Sequence, residues 1–364
     1  MYSFLVTPRR LAPSHGAAHY LRTDSLGSGD FEALEFPKPS TEGHLQIVNI
    51  IDCGKEVMSC QFNQEGTLLA VGLIDGNIKV YKMKEALCVY MLNDADTMNT
   101  KLPVTSLRFH PQSKSSSGDL LLATYASGLV KIWHLSSKTC LFTLTEKRQT
   151  LTSTFNPSGT NFITAGSNTA IHVYDTETKT RVNSCQPSPS LTTMNGHRFR
   201  VFALAFHPKK EEHFISGGWD NTVQFWNTQQ QHSIRKLSGP HVCGDALQFD
   251  PLTHQILTGS WRKYDALQIW DSETGKKLQE IPEDYRGHSR IYSCRWMDSG
   301  HIMAAGSESN MYRIIDRNTL MTTGCLLDLP GGVYCTDITS KEEGDPLIAV
   351  SSQNCIYLLA IPAK

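Results

Sequence analysis

The residue types that could do chemistry are few and scattered. His197, Ser216 and Asp220 fall within one short stretch and are the three kinds of side chain that serve a hydrolase as base, nucleophile and orienting acid. The 10 cysteines and 14 histidines include no CxxC pair, no HExxH and no His-x-His pair, so a metal site would have to be assembled by tertiary proximity alone. No GxxxxGKS or GxxxxGKT phosphate cradle, no GxGxxG turn and no GxSxG elbow occurs. His110 and His207 each precede a proline at the same point of a recurring pattern, which makes them turn residues. Cys60, Cys140, Cys294, Cys335 and Cys355 lie in apolar, strand-like runs, where a free thiol behaves as a small hydrophobe. The residues therefore predict no metal, no cofactor and no small-molecule substrate, and they give enzymatic function no positive support.

The elements that must position these residues come from a repeat. An apolar strand, a Gly/Ser/Asn turn, a second strand, a tight turn and a third strand ending in a large apolar residue recur through the chain. The clearest copy reads VFALAFHP (201 to 208), HFISGG (213 to 218), WDN (219 to 221) and TVQFWN (222 to 227). Taking Tyr81, Trp133, Tyr174, Trp226, Trp270, Ile315 and Leu359 as the ends of the third strands, the spacings are 52, 41, 52, 44, 45 and 44 residues by subtraction. Two long loops, 92 to 103 and 186 to 196, account for the 52-residue steps. The second holds Ser188-Pro189, a conceivable phosphorylation site in an otherwise solvated loop.

In this period, in its IWD strand end and in the pairs Gly196-His197 and Gly287-His288, the chain resembles the WD-repeat β-propellers. The resemblance covers about Leu45 to Leu359 and implies an all-β fold, a single seven-bladed WD-repeat propeller over residues 45 to 364. Seven twisted sheets around an axis bury faces that one short sheet cannot. The last copy ends with five residues left, too few for its outer strand. The orphan apolar run QIVNII (46 to 51) is therefore predicted to supply it and to close the ring with an N-terminal outer strand. Residues 1 to 44 are expected to be a mobile tail.

The resemblance also assigns the triad-like residues. It implies that His197, Ser216, Asp220 and Trp226 form a buried structural tetrad that locks the fourth blade, so that Asp220→Ala should lower stability and leave no turnover to lose. The turn aspartate is present as Asp75 in the first blade but is replaced by Ser127, Asn168, Ser309 and Gln353 elsewhere. Those blades are expected to lack the full network and to lean on strand packing.

Binding is expected on the turns around the central channel, because the strands are consumed by packing. Trp219 and Trp261 hold equivalent turn positions in adjacent blades, and a two-residue insertion after Trp261 carries Arg262 and Lys263. Arg198, Arg200, Arg290 and Tyr334 lead into first strands and should share that face. Together they predict a partner surface, with an acidic or aromatic peptide as its complement. A methyl-lysine cage is a sharper version, opposed by the flanking arginines.

Net charge of -1 disfavours a nucleic-acid partner, and no run reaches the roughly 20 apolar residues of a membrane span. Absent signal features and single, spread cysteines predict an intracellular protein, cytoplasmic at first reading, with nucleus and cilium left open. The leading function is a non-catalytic protein-protein interaction platform within a multiprotein assembly. A ubiquitin-ligase substrate receptor is the alternative, weakened because Asp175, Asp271 and Asp316 lead two residues on to Glu177, Glu273 and Asn318 rather than to arginine. A propeller-based hydrolase needs converging carboxylates or histidines at the channel mouth, and the sequence supplies no evident set.

Overall fold

Short β-branched and aromatic runs separated by Gly, Asn and Asp turns can only form hairpins, and the chain folds into twenty-nine strands and one short helix among the described residues. The computed structural model describes residues 38–111, 120–190, 192–298, 300–339 and 346–362. The strands β1 (Ser40–Gly43) and β2 (Gln46–Asp52) come first. The first blade is β3 (Val57–Phe62), β4 (Leu68–Leu73), β5 (Ile78–Lys82) and β6 (Leu87–Leu92). Helix α1 (Ala95–Thr100) leads into the second blade, β7 (Val104–Phe109), β8 (Leu120–Tyr125), β9 (Leu129–His134) and β10 (Thr139–Thr145). The third is β11 (Thr150–Phe155), β12 (Asn161–Gly166), β13 (Ile171–Asp175) and β14 (Arg181–Cys185). The fourth is β15 (Val201–His207), β16 (Lys210–Gly218), β17 (Thr222–Asn227) and β18 (Arg235–Ser238), and the fifth is β19 (Leu247–Phe249), β20 (Ile256–Gly259), β21 (Leu267–Trp270) and β22 (Lys277–Ile281). The sixth is β23 (Ser289–Trp296), β24 (His301–Glu308), β25 (Tyr312–Asp316) and β26 (Thr322–Leu327), and the seventh holds β27 (Thr336–Ile338), β28 (Leu347–Ser352) and β29 (Cys355–Ala360).

Each blade is an antiparallel meander, and the register repeats from blade to blade. The third-strand anchor always faces an apolar second-strand residue: Leu69↔Tyr81, Leu121↔Trp133, Phe162↔Tyr174, Phe214↔Trp226, Ile256↔Trp270, Ile302↔Ile315 and Ile348↔Leu359. All seven anchors are buried, including the two aliphatic ones. Inner strands pack on both faces, whereas an outer strand such as β10 alternates between exposed and half-buried residues. Seven apolar clusters among the described residues fill the spaces between neighbouring blades, so every blade is covered on both sides.

The ring closes as the sequence implies. Strand β2 pairs antiparallel with β29, from Gln46↔Ala360 to Asp52↔Cys355, and completes the seventh sheet. Its Ile51 enters the cluster that joins the seventh blade to the first. The expected tail boundary at residue 44 needs correction, because Ser40–Gly43 is a fifth strand on the sixth blade, paired with β26. Two features fix it there: the Glu42 carboxylate accepts from Arg286, and Gly43, at φ 71°, brings its backbone so close to Thr323 that a Cβ would lie 2.1 Å from that carbonyl oxygen. The remainder of the predicted tail, 1 to 37, lies outside the described residues. The five strand cysteines also divide: Cys60, Cys294 and Cys335 are buried, but Cys140, on the outer strand β10, and Cys355, at the turn end of β29, are only partly covered.

Candidate functional site

In the fourth blade the triad-like residues form one hydrogen-bonded chain. Trp226 Nε1 donates to Ser216 Oγ at 2.7 Å, Ser216 lies 2.6 Å from His197 Nε2, and His197 Nδ1 donates to Asp220 at 2.9 Å. Asp220 also accepts from the Arg198 backbone and from Thr222. Burial alone would raise the Asp220 carboxyl, but the His197 hydrogen bond and those backbone donors outweigh it and hold it below the usual carboxylate range. The spacing is that of a catalytic triad, yet His197 and Ser216 are wholly buried and the hydroxyl is already engaged by the indole. No substrate atom can reach that oxygen in this packing.

Two of the blades expected to lean on strand packing hold a different buried polar network in place of the tetrad. In the third blade Glu146 stands where His197 stands in the fourth, four residues before the first strand. Its carboxylate accepts from Arg148, Thr150, Thr164, His172 and Tyr174 at 2.6 to 3.0 Å. Burial opposes ionisation, but the His172 hydrogen bond and the Arg148 charge prevail, and the carboxyl is held far below its usual range. In the second blade Lys131 is fully buried and donates to Asp94, Asp96 and Thr143. Asp94 is also the N-cap of α1, so the long loop 92 to 103 is tied down by a lysine inside the blade. The other long loop is pinned in part, with Ser188 Oγ donating to Asn195.

The residues proposed for binding come from two kinds of turn: those joining second to third strands and those preceding first strands. Antiparallel strands alternate in direction, so both kinds lie at one end of the ring. Gly218 ends β16 where a Cβ would lie 2.2 Å from the Arg200 carbonyl, and this close approach lets the Trp219 N–H reach that oxygen at 3.0 Å. Trp219 stacks on Phe202 at 5.3 Å and on His241 at 6.3 Å between ring centroids, and its Nε1 donates to Cys243 Sγ. The Trp261 N–H donates to the His241 carbonyl, which links the two tryptophan turns directly. Trp261 then packs by Tyr292, and Tyr292 by Tyr334 at 5.1 Å, edge to face. Six blade elements thus carry one aromatic arc from Phe202 to Tyr334.

The arginines join this arc. Arg200 lies 5.7 Å over Trp219 and donates to Gln149, and Arg290 lies 4.4 Å over Trp261 and pairs with Glu308. A guanidinium already lies over each indole, so a methyl-lysine ammonium would meet a like charge there. Arg262 donates to Asn221, which also accepts from His241, and Arg198 donates to the carbonyls of Ser190 and Thr193. Lys263 projects over the Tyr264 ring. Three aromatics that composition had not singled out are the most exposed here: Phe199 at 61%, Tyr264 at 65% and Tyr285 at 85%. The first two were legible, since Phe199 sits between Arg198 and Arg200 and Tyr264 follows Arg262 and Lys263 in the insertion.

The central channel holds a second charged group. Arg108 and Arg295 both reach the Asp245 carboxylate, at 3.0 and 2.9 Å, and Arg295 also faces Asp337. Burial raises the Asp337 carboxyl, while the two guanidiniums overcome the same effect at Asp245 and lower it. The two carboxylates that do converge in the channel are therefore consumed by arginines. Among the described residues no cluster of three or more His, Cys, Asp or Glu side chains is placed to hold a metal.

Comparisons with known proteins agree with this architecture. The family model described as nucleolar protein 10-like, N-terminal domain, matches residues 38–178, and the WD domain, G-beta repeat model matches 188–227 and 277–316. The chain is 27% identical over 198 residues to the transcriptional corepressor LEUNIG_HOMOLOG of Arabidopsis thaliana, covering 54% of this chain and 23% of that protein. It is 24% identical over 228 residues to the intraflagellar transport protein 122 homolog of Mus musculus, covering 61% of this chain and 16% of the relative. It is 22% identical over 344 residues to the periodic tryptophan protein 2 homolog of Caenorhabditis elegans, covering 85% of this chain and 35% of the relative. The chain spans well under two thirds of the length of each.

Proposed function

We propose, for a chain that is a WD-repeat β-propeller, the role of a non-catalytic platform that holds protein partners inside a larger assembly. The observation that carries this reading is the unbroken aromatic and arginine arc across one end of the ring, joined through Trp219, His241 and Trp261. Tryptophan, tyrosine and arginine are the side chains that most often dominate binding energy, and here a rigid ring fixes them before any partner arrives. Arg198 and Arg262 spend their side-chain hydrogen bonds on neutral oxygens and add positive charge to this end, so the complement is an acidic segment with aromatic or aliphatic side chains. The buried tetrad and the arginine-paired carboxylates of the channel are structural in this reading. Among the described residues no helix is long and apolar enough to cross a membrane.

The test is affinity purification with mass spectrometry of the wild type and a Trp219→Ala/Trp261→Ala double variant at matched expression and confirmed folding. Loss of a stoichiometric partner from the variant is the expected result. Recovery of the same partners by both proteins would remove the arc from consideration as the binding surface.

A further inference from the structure

The end of the ring opposite the aromatic arc carries a cleft between the fourth and fifth blades, with a volume of ≈ 380 Å³. It is built from the β15–β16 turn, the adjoining ends of β16, β17, β18 and β19, and the β21–β22 turn. Its walls are apolar: Phe214, Phe225 and Phe249 line it, and Ile234 stands at its edge with 53% of its surface exposed. One wall is rigid, because the Arg235 guanidinium lies 3.9 Å from the Phe225 ring centroid and donates to the carbonyls of Ser272 and Glu273. That pairing uses the hydrogen-bond donors of Arg235 on neutral oxygens, and the nearby carboxylates of Asp271 and Glu273 answer part of its charge.

The charge of the lining is lopsided. Lys209 and Lys210 are exposed on one side, where they outnumber the nearby Glu212, while on the other side Glu273 and Asp271 answer Arg235. Burial holds His207 and His213 below the ordinary histidine range, His207 down to about 4, so at neutral pH they add polar atoms and no charge. A pocket of this size takes one or two bulky side chains, and an apolar floor under two lysines suits neither a nucleic-acid backbone nor a free anion.

We propose that this cleft is a second docking site, for an acidic peptide segment of a protein partner that seats one bulky apolar side chain against Phe225, Phe249 and Ile234 and faces its carboxylates to Lys209 and Lys210. The site is independent of the arc at the other end, and two such surfaces let one ring hold two partners at once.

A phage-displayed library of random peptides of about 12 residues, panned on the full chain carrying Trp219→Ala/Trp261→Ala so that arc binders are not selected, supplies the probe. The expected consensus is acidic around one aromatic or aliphatic position. Selected peptides, made synthetically and fluorescently labelled, should weaken at least about tenfold on Lys209→Glu/Lys210→Glu and on Ile234→Asp, weaken with added salt, and be unchanged on Trp219→Ala/Trp261→Ala. All of the substituted cleft residues are exposed, so both cleft variants are expected to melt like the wild type, which circular dichroism checks. Two results overturn the proposal: selected peptides that bind both cleft variants undiminished, or a library that yields no peptide enriched over the same panning on Ile234→Asp. Because the arc variant is carried alongside, failure of the cleft and failure of the arc are read separately.

Discussion

At the scale of single residues the fold is secured by buried charges that are fully answered. Glu146 is the strongest case, because five side chains satisfy one carboxylate and Arg148 compensates its charge. A carboxyl whose folded pKa lies below its unfolded value binds its proton more weakly in the folded state. It therefore stabilises the fold above the unfolded value of about 4.3, and that contribution is lost as pH falls toward the folded value. Glu146→Gln strands Arg148 and should cost about 3 kcal/mol at neutral pH, lowering the melting temperature by roughly 4–5 °C. Thermal melts from neutral pH down to about pH 2.5 should show the variant losing less stability below about pH 4 than the wild type. Parallel curves would mean that Glu146 ionises normally. The Glu146 network was within reach of the sequence, since Glu146 aligns with His197 and Thr164 with Ser216, but a glutamate four residues before a strand reads as a solvated loop residue until the fold buries it.

At the scale of elements the two N-terminal strands differ in what they hold. Strand β2 supplies the fourth strand of the seventh sheet and puts Ile51 into an inter-blade cluster, whereas β1 is added outside a sheet that already has four strands. A chain that begins at residue 53 should lose its cooperative melting transition, while one that begins at residue 44 should melt within a few degrees of the full chain. Circular dichroism of the two truncations decides the matter, and equal melting would count against closure by β2. The closing strand was legible because an apolar run had no partner in its own neighbourhood. Strand β1 was not, because Ser-Thr-Glu-Gly carries no strand signal and its partners, the edge of β26, Arg286 and Asp328, all lie far along the chain. Helix α1 was hidden in the same way, since its anchor Lys131 sits in the next blade.

At the scale of the molecule the channel ties distant blades together. Asp245 receives Arg108 from the second blade and Arg295 from the sixth, so one carboxylate spans the ring. Asp245→Asn should leave two guanidiniums facing each other with weaker acceptors, at a cost of about 1–3 kcal/mol. Denaturant unfolding should then shift its midpoint downward with an unchanged slope. A variant as stable as the wild type would reassign the pair to a surface role. The same geometry separates two ends of the ring, one with the aromatic arc and one with the cleft between the fourth and fifth blades, and the platform reading rests on both being held by a rigid frame.

Period, strand order and closure were determined by the sequence itself, because a 40- to 50-residue apolar rhythm with one unpaired strand admits few ways to bury every sheet face. The tetrad residues could be named only through the resemblance to WD-repeat propellers. Tertiary structure alone decided which charges meet, since Glu146, Lys131 and Asp245 look like ordinary polar residues until antiparallel register and blade stacking exclude water around them. It also decided which tryptophans share a surface and where a cleft opens, because those depend on how two blades face each other and no single repeat contains that information.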